Sequence, residues 1–406
     1  MKKDYHFFKG FLSGWAFMLL IGVVALGVKG KIRGEASADT GDSAVTQESV
    51  NKLAEIEMMI DAYNLEEVDK EQMENYMYKG LVAGLEDPYA AYYTVEEMES
   101  VQRSLNGSYK GIGVLMTQNF DTNEIRVIRC YEGAPAEKAG MLPNDILKEI
   151  NGQSTEEMTL SEVVNVIQKG EQDIIELKVL REGESELLTF SMERTNVEVP
   201  TVYQEMLDDE IGYLQIIEFD SVTVSQFESA LEELEEQGME KLIVDVRDNP
   251  GGMLTSVCDI LDQILPEGLM VYIEDKNGNR SEYTSDEEHQ FTKPLAVLVN
   301  GDSASAAEIF AGAIQDHNVG TIVGTTTYGK GIVQTTYSLS DGSALKLTTA
   351  KYYTPNGNDI HKKGITPDVE IELNEDVESQ NVIPMEDDNQ IQKAISILKE
   401  DESLLQ

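Results

Sequence analysis

Two short stretches hold the side chains whose type and spacing could do chemistry. The first, LAVLVNGDSASAAEIFAGAI (295–314), reads as strand, turn and helix, with Ser305 at the mouth of the helix. Backbone N–H groups are unpaired there and the helix dipole favours negative charge. A serine oxygen attacking a carbonyl would therefore find an oxyanion donor in the Ala306 N–H. A structural role competes with this one, because Ser305-Ala-Ala-Glu308 is also a capping box. Both roles stand until a base is found.

Histidine is the usual base, and the chain has four. His6 lies near the N-terminus, His289 in a polar loop, His317 at a helix end and His361 beside two lysines. Nothing in their surroundings singles out His317 or His361, so a Ser-His arrangement stays open. The stretch GTTTYGKGIVQTTYSL (324–339) offers a different base, Lys330, bracketed by Gly329 and Gly331. Gln334 follows at a spacing that shares one face of an extended strand, where its amide would hold the lysine amine. A lysine works as a base only if burial away from carboxylates brings its pKa down from about 10.4 towards 7. No acid occurs between Asp316 and Asp341. Gly324 to Lys330 nearly spells a phosphate-binding loop, but Gly331 stands where Ser or Thr is required and a strand pattern follows.

A third element, Asp245-Val-Arg247-Asp-Asn-Pro-Gly251-Gly252, closes an apolar strand. Its glycines would let a second backbone N–H approach a reacting carbonyl, or would simply turn the chain into the next helix. These pieces need elements to carry them. From about residue 205, apolar strands (Ile211–Ile217, Leu242–Val246, Leu295–Val299, Thr321–Val323) alternate with helical patterns, which implies an α/β core. Residues 108–194 read as a compact β-rich unit with strands at Ile112–Met116 and Ile125–Ile128. In that unit Thr159-Leu-Ser-Glu162 is a capping box that opens a short helix. Two helical stretches precede it, one around Leu53, Ile56, Ile60 and Tyr63, the other around Met73, Tyr76, Met77 and Leu81. A weakly amphipathic helix near Ile391, Ile395 and Leu398 ends the chain.

The totals narrow the choice of function. Over 406 residues, 31 basic side chains face 75 acidic ones, a net charge of −44 that repels phosphate backbones and argues against nucleic acid as a partner. The two cysteines, Cys130 and Cys258, form no CxxC or Cys/His spacing, so neither a metal nor another cofactor is expected. At the N-terminus, Lys2, Lys3 and Lys9 precede the uncharged run Phe11–Val28, close to the ~20 residues that span a bilayer. An Ala36-Ser37-Ala38 cleavage site competes with an uncleaved anchor, but it lies beyond Lys29, Lys31 and Arg33. The reading is an anchor in the cell membrane, crossing it once, with everything after residue 30 outside the cytoplasm.

Taken in register, these motifs resemble the carboxyl-terminal processing (tail-specific) protease family over most of the chain beyond the anchor. They comprise Gly84-Leu-Glu-Asp87-Pro88-Tyr89, Gly107-Ser-Tyr-Lys-Gly111-Ile-Gly113, and the run from Gly133-Ala-Pro-Ala136 to Asp145 and Ile150-Asn-Gly152. Then come Ser303-Ala-Ser305-Ala-Ala-Glu308, Tyr328-Gly-Lys330-Gly with Gln334, Tyr352-Tyr-Thr-Pro355-Asn-Gly357 and Gly364-Ile-Thr-Pro367-Asp368.

The resemblance implies an α/β multidomain fold, a β-rich PDZ domain inserted before a ClpP/crotonase-like protease core, with an N-terminal membrane helix and a helical lead-in. The expected division is a short tail (1–10), a transmembrane anchor (11–28), a flexible linker (29–48) and a helical region (49–106). After these come the PDZ domain (107–194), the protease core (195–372) and an acidic C-terminal helical tail (373–406). The resemblance further implies a serine endopeptidase acting near protein C-termini without a cofactor. Ser305 would be nucleophile, Lys330 base, Gln334 its orienter, and Gly251 and Ala306 the oxyanion hole, with Gly252 competing for Gly251's place. The loop Gly111-Ile112-Gly113-Val114 would take the C-terminal carboxylate of an unfolded, apolar-tailed substrate. Gating by the PDZ domain is in question, because Lys169-Gly170 stands where an Arg-Gly is common and lysine lacks the bidentate fork. A homodimer through the helical ends is also implied. Two rivals stay open, a catalytically silent PDZ scaffold and a Ser-His hydrolase on the same core.

Overall fold

The computed structural model describes residues 43–119, 122–170, 172–207, 210–286, 288–374 and 383–400. The proposed anchor Phe11–Val28 lies outside them. Among the described residues no helix is long and apolar enough to cross a membrane.

The alternating strands and helices after residue 200 build one central sheet. Its order is Val202–Met206, Ile211–Ile216, Lys241–Asp245, Leu295–Val299, Thr321–Gly324 and Val369–Glu370, parallel from the second strand onward. Lys241–Asp245 and Leu295–Val299 are buried along their whole length, as expected for central strands covered on both faces. One face packs Phe227, Ile260, Phe310 and Ile314. The other packs Tyr213, Ile243 and Leu298 against Ile391, Ala394 and Leu398 of the helix Asn389–Glu400. The helix read as an acidic tail is thus a covering layer of the core. A second, antiparallel sheet joins Ala91–Tyr93, Ala344–Tyr353, Gly268–Asp275 and Arg280–Ser285, with Ile332–Ser338 also paired to Ala344–Tyr353.

The C-terminal helix is locked to the core by charge as well as by apolar contact. Arg247 donates from Nη2 to Asp245 Oδ2 (2.6 Å) and from Nη1 to Asp388 Oδ2 (2.9 Å) and Gln390 Oε1 (2.7 Å). Tyr213 donates to Asp245 (2.7 Å), and Asp388 accepts the backbone N–H groups of Gln390 and Ile391 at the helix start.

The β-rich unit has its own sheet, Val114–Gln118, Ile125–Cys130, Ile146–Ile150, Ile174–Leu180 and Leu188–Glu193. The predicted strand at Ile112–Met116 starts only at Val114, because Gly113 turns the chain with φ +70°. The predicted capping box forms: Thr159 Oγ1 accepts the Glu162 N–H (3.2 Å) and Glu162 Oε2 accepts the Thr159 N–H (2.7 Å) at the start of Leu160–Lys169. Chain entry and exit run side by side as a two-stranded ribbon, Ser108–Gly111 against Thr195–Glu198. The helices Gln47–Tyr63 and Lys70–Ala83 bury none of their residues, so Leu53, Ile56, Tyr63 and Leu81 face solvent.

Arg247→Met removes the cation shared by two buried carboxylates. It is expected to lower stability by about 3–5 kcal/mol, read as a fall in the urea midpoint. An unchanged midpoint would show that the network carries no stability.

Candidate active site

Ser305 sits at the end of a strand–turn–helix whose geometry is enforced from outside. The turn after Leu295–Val299 is tied to the neighbouring strand end by Ser303 Oγ donating to the Val246 carbonyl (2.7 Å) and Ala304 N–H donating to the Asn249 carbonyl (2.9 Å). Ser305 itself has φ +55° and ψ −113°, a conformation a side chain adopts only when its surroundings impose it. The Glu308 N–H donates to the Ser305 carbonyl oxygen (2.9 Å). The expected capping box is present at this helix start, with Glu308 Oε2 accepting the Ser305 N–H (2.9 Å).

Glu308 is fully buried and collects donors from two segments. Oε2 accepts from the Ser305 N–H (2.9 Å) and the Lys330 N–H (2.8 Å), and Oε1 from the Gly329 N–H (2.7 Å) and Thr327 Oγ1 (2.6 Å). Tyr352 adds its hydroxyl to the Ser305 carbonyl (3.1 Å) and to Glu308 Oε2 (3.5 Å). The backbones of Ser305 and Lys330 thus lie within the span of two hydrogen bonds that share one oxygen. Burial pushes the Glu308 carboxyl up, and the Thr327, Lys330, Gly329 and Ser305 donors oppose that rise.

Lys330 is 1% exposed, and its Nζ makes no hydrogen bond among the described residues. Its amine lies 5.0 Å from the centre of the Tyr89 ring. Burial, and after it the charge of Lys346, push the amine down to about 7, while Glu308 pulls the other way. Gln334 is fully buried, but its Nε2 donates to Thr348 Oγ1 (3.3 Å) and its Oε1 has no partner among the described residues. The expected Gln334–Lys330 bond is not made. A register irregularity between Val333 and Gln334 puts both of these side chains on the buried side.

The loop Asp248–Gly252 approaches the serine closely. A Cβ on Gly251 would lie 2.7 Å from Ser305 Cβ and 2.9 Å from the Ala306 nitrogen, so only glycine fits there, at φ +108°. The Gly251 N–H donates to Asn249 Oδ1 (2.8 Å), a bond sequence spacing did not foretell. Gly252, at φ +140°, packs against the Phe219 backbone. The two histidines fare worse as bases. His317 ends the helix that Ser305 begins, ~18 Å along its axis at 1.5 Å per residue, and its Nε2 lies 2.8 Å from the Leu269 carbonyl. His361 packs its backbone on Gly331, its ring Nδ1 is buried without a partner among the described residues, and burial pushes its pKa down. The stretch after Lys330 is the strand Ile332–Ser338, not the helix a phosphate loop needs.

In the PDZ-like unit, Val114–Gln118 is an edge strand, paired among the described residues only with Ile125–Cys130. The helix Leu160–Lys169 lies alongside it, joined by the Leu160 N–H donating to Gln118 Oε1 (2.9 Å) and Gln118 Nε2 donating to the Met158 carbonyl (3.0 Å). Ile112 and Gly113 use their carbonyls, which accept from the Ala136 and Tyr131 N–H groups. Their own N–H groups donate to no described residue. The helix end is capped by Arg194, which donates to the carbonyls of Ile167, Gln168 and Gly170. Lys169 does not perform this role, and Arg194 lies too far along the chain for its part to be read from spacing.

Comparison with known proteins decides the family. The chain is 36% identical over 343 residues to carboxy-terminal processing protease CtpA of Bacillus subtilis (strain 168), covering 84% of this chain and 72% of that one. It is 34% identical over 296 residues to the carboxyl-terminal-processing protease of a Synechocystis strain, covering 72% and 69%. Residues 210–371 match peptidase family S41 and residues 126–181 a PDZ domain. The chain belongs to peptidase family S41. It is a serine peptidase of the carboxyl-terminal processing type, with a PDZ domain and a mixed α/β protease core. A putative S41 protease from Bacteroides fragilis shares the fold, with a TM-score of 0.50 at 15% identity over 83% of this chain and 92% of that one.

The Lys330 pocket makes a prediction with a definite sign. In the unfolded chain a lysine holds its proton up to about 10.4, whereas in the fold Lys330 releases it near 7. Between these values folding expels a proton, so the Lys330 contribution to stability rises with pH and is most unfavourable below 7. Lys330→Met is expected to raise the melting temperature at pH 6, with the gain shrinking towards pH 10. A gain independent of pH would mean that the amine is not held neutral.

Proposed function

We propose that this S41 peptidase is anchored to the cell membrane by Phe11–Val28 and works outside the cytoplasm through a Ser305–Lys330 dyad. The observation that carries the dyad is the Lys330 amine, buried beside the serine turn without a hydrogen-bond partner among the described residues and with its pKa pushed down to about 7. In this reading the neutral amine takes the Ser305 proton as the hydroxyl attacks a peptide carbonyl. It then protonates the leaving amine, and water releases the acyl group. The Ala306 N–H receives the developing negative charge. Gly251 joins it once Asn249 lets go of its N–H, or Gly252 serves in its place. Gln334, whose carbonyl oxygen has no partner among the described residues, swings to the amine when substrate arrives.

The PDZ domain supplies the substrate in this reading. An unfolded C-terminal tail adds as a strand to Val114–Gln118, and its carboxylate meets the N–H groups of Ile112 and Gly113 in the Gly111–Val114 loop. A bound tail strains the contact in which Arg129 donates to the Tyr203 hydroxyl (2.6 Å), which couples the PDZ domain to the core and gates the site. The apolar faces of Gln47–Tyr63 and Lys70–Ala83 pair two copies of the chain.

Ser305→Ala and Lys330→Ala are each expected to abolish cleavage of an unfolded protein, with wild-type kcat/KM rising with pH through about 7 as the base loses its proton. Cleavage unaffected by either substitution would sink the dyad. Gly113→Ala brings a Cβ to 2.2 Å from Ala134 Cβ at φ +70°. It is expected to raise KM for tailed substrates tenfold or so while a short peptide lacking the tail is cut as before. Equal KM values would remove the loop from tail binding.

A further inference from the structure

Asn249 is fully buried and bonds to three segments of the core around the serine. Its Nδ2 donates to the Ile216 carbonyl (2.9 Å), at the C-terminal end of the strand Ile211–Ile216. Its Oδ1 accepts the Gly251 N–H (2.8 Å), and its backbone carbonyl accepts the N–H of Ala304 (2.9 Å), one residue before Ser305. Each amide atom thus faces a group of the opposite kind, which fixes the side chain one way round. Asp248 beside it, at φ +59°, is pinned in turn. Its N–H donates to Asn300 Oδ1 (3.0 Å), and its Oδ1 accepts from Asn300 Nδ2 (2.8 Å).

These bonds decide what the two glycines can offer a substrate. The Gly251 N–H is taken by Asn249. The Gly251 carbonyl is taken by the Phe219 N–H (2.8 Å), and the Phe219 carbonyl accepts the Met253 N–H (2.7 Å). In a trans peptide the N–H points opposite to the C=O, and none of the described peptide bonds is cis. The Gly252 N–H therefore leaves the loop on the side away from Phe219, and it donates to no described residue. Gly251 stands so close to Ser305 and the Ala306 nitrogen that no Cβ fits between them. An N–H without a described partner thus belongs to the residue next to the one that touches the serine.

We propose that Asn249 is a positioning residue for acyl transfer. It holds the glycine loop so that the Gly252 N–H, together with that of Ala306, receives the charge developing on the substrate's carbonyl oxygen. The inference rests on the Ser305 nucleophile proposed above and takes the second of the two arrangements given there, in which Gly251 stays bound to Asn249. Asn249 itself touches neither substrate nor reacting atoms and acts through the loop.

The test uses the full-length chain and follows kcat and KM on an unfolded protein, with inhibition by a short peptide aldehyde and by the corresponding alcohol. Ser305 Oγ adds to the aldehyde carbon, the carbonyl π pair moves onto oxygen and the hydroxyl proton passes to Lys330, so the adduct carries the oxyanion. The alcohol binds without forming a bond. Asn249→Ala is expected to lower kcat about a hundredfold with KM little changed. It should weaken the aldehyde by the same factor while the alcohol binds as before. Asn249→Ser, whose hydroxyl can accept the N–H two residues on more weakly, should recover part of both losses. If the Ala variant does not fold, the Ser variant carries the comparison, with smaller losses of kcat and aldehyde affinity in step. A kcat that stays unchanged, or rises because Gly251 has been released, overturns the role of Asn249. So does a lower kcat with aldehyde affinity kept, or equal weakening of aldehyde and alcohol. These outcomes leave the nucleophile standing while the wild type forms the adduct and Ser305→Ala does not. A wild type that holds the aldehyde no tighter than the alcohol overturns Ser305 as nucleophile, and the role of Asn249 with it.

Discussion

Glu308 has to satisfy donors from both the serine turn and the lysine loop with two oxygens, and the rest of the site is arranged around that requirement. A carboxylate stripped of water is costly unless its lone pairs are filled, and here Ser305, Thr327, Gly329 and Lys330 fill them. The arrangement leaves little freedom to either segment. The helix cannot tilt, and the glycine-flanked loop cannot slide, without leaving that charge partly unsatisfied. A capping residue has thereby become the joint between two distant parts of the chain.

The same carboxylate creates the problem that the lysine pocket has to solve. An acid so near an amine tends to keep the amine protonated, which would disable it as a base. Burial works against that tendency, and the amine lies over the Tyr89 ring, 5.0 Å from its centre. The price is a buried amine with no hydrogen bond among the described residues, a local instability that the packed core around Phe310 and Tyr352 sustains. Such sites are where local rules of polar satisfaction are expected to fail.

Much of this was legible along the chain. Apolar runs such as Leu242–Val246 and Leu295–Val299 announced central strands because both of their faces are buried, and the Thr159–Glu162 box announced a helix start that forms as written. Ser305, Lys330 and the two glycines could be picked out by type. What stayed hidden depends on contacts distant in sequence. The Glu308 bonds to residues 327–330, the capture of the Gly251 N–H by Asn249, the Arg194 cap and the Arg247 network join segments that no local pattern relates. The Gln334 amide was assigned by strand parity. Parity says which face a side chain takes but not which neighbour it will choose.

The ribbon that carries the PDZ domain also bears on how such proteins are assembled. Gly107 and Val199 are joined by a backbone hydrogen bond (2.7 Å), so the domain enters and leaves the core across one strand spacing of ~4.8 Å. A tight hairpin turn could close that gap, and any module with adjacent termini could be spliced into it. The protease core would see the same two anchoring strands in every case. Tail recognition is in this sense an exchangeable cassette, and its reach and selectivity can diversify without rebuilding the chemistry beneath it.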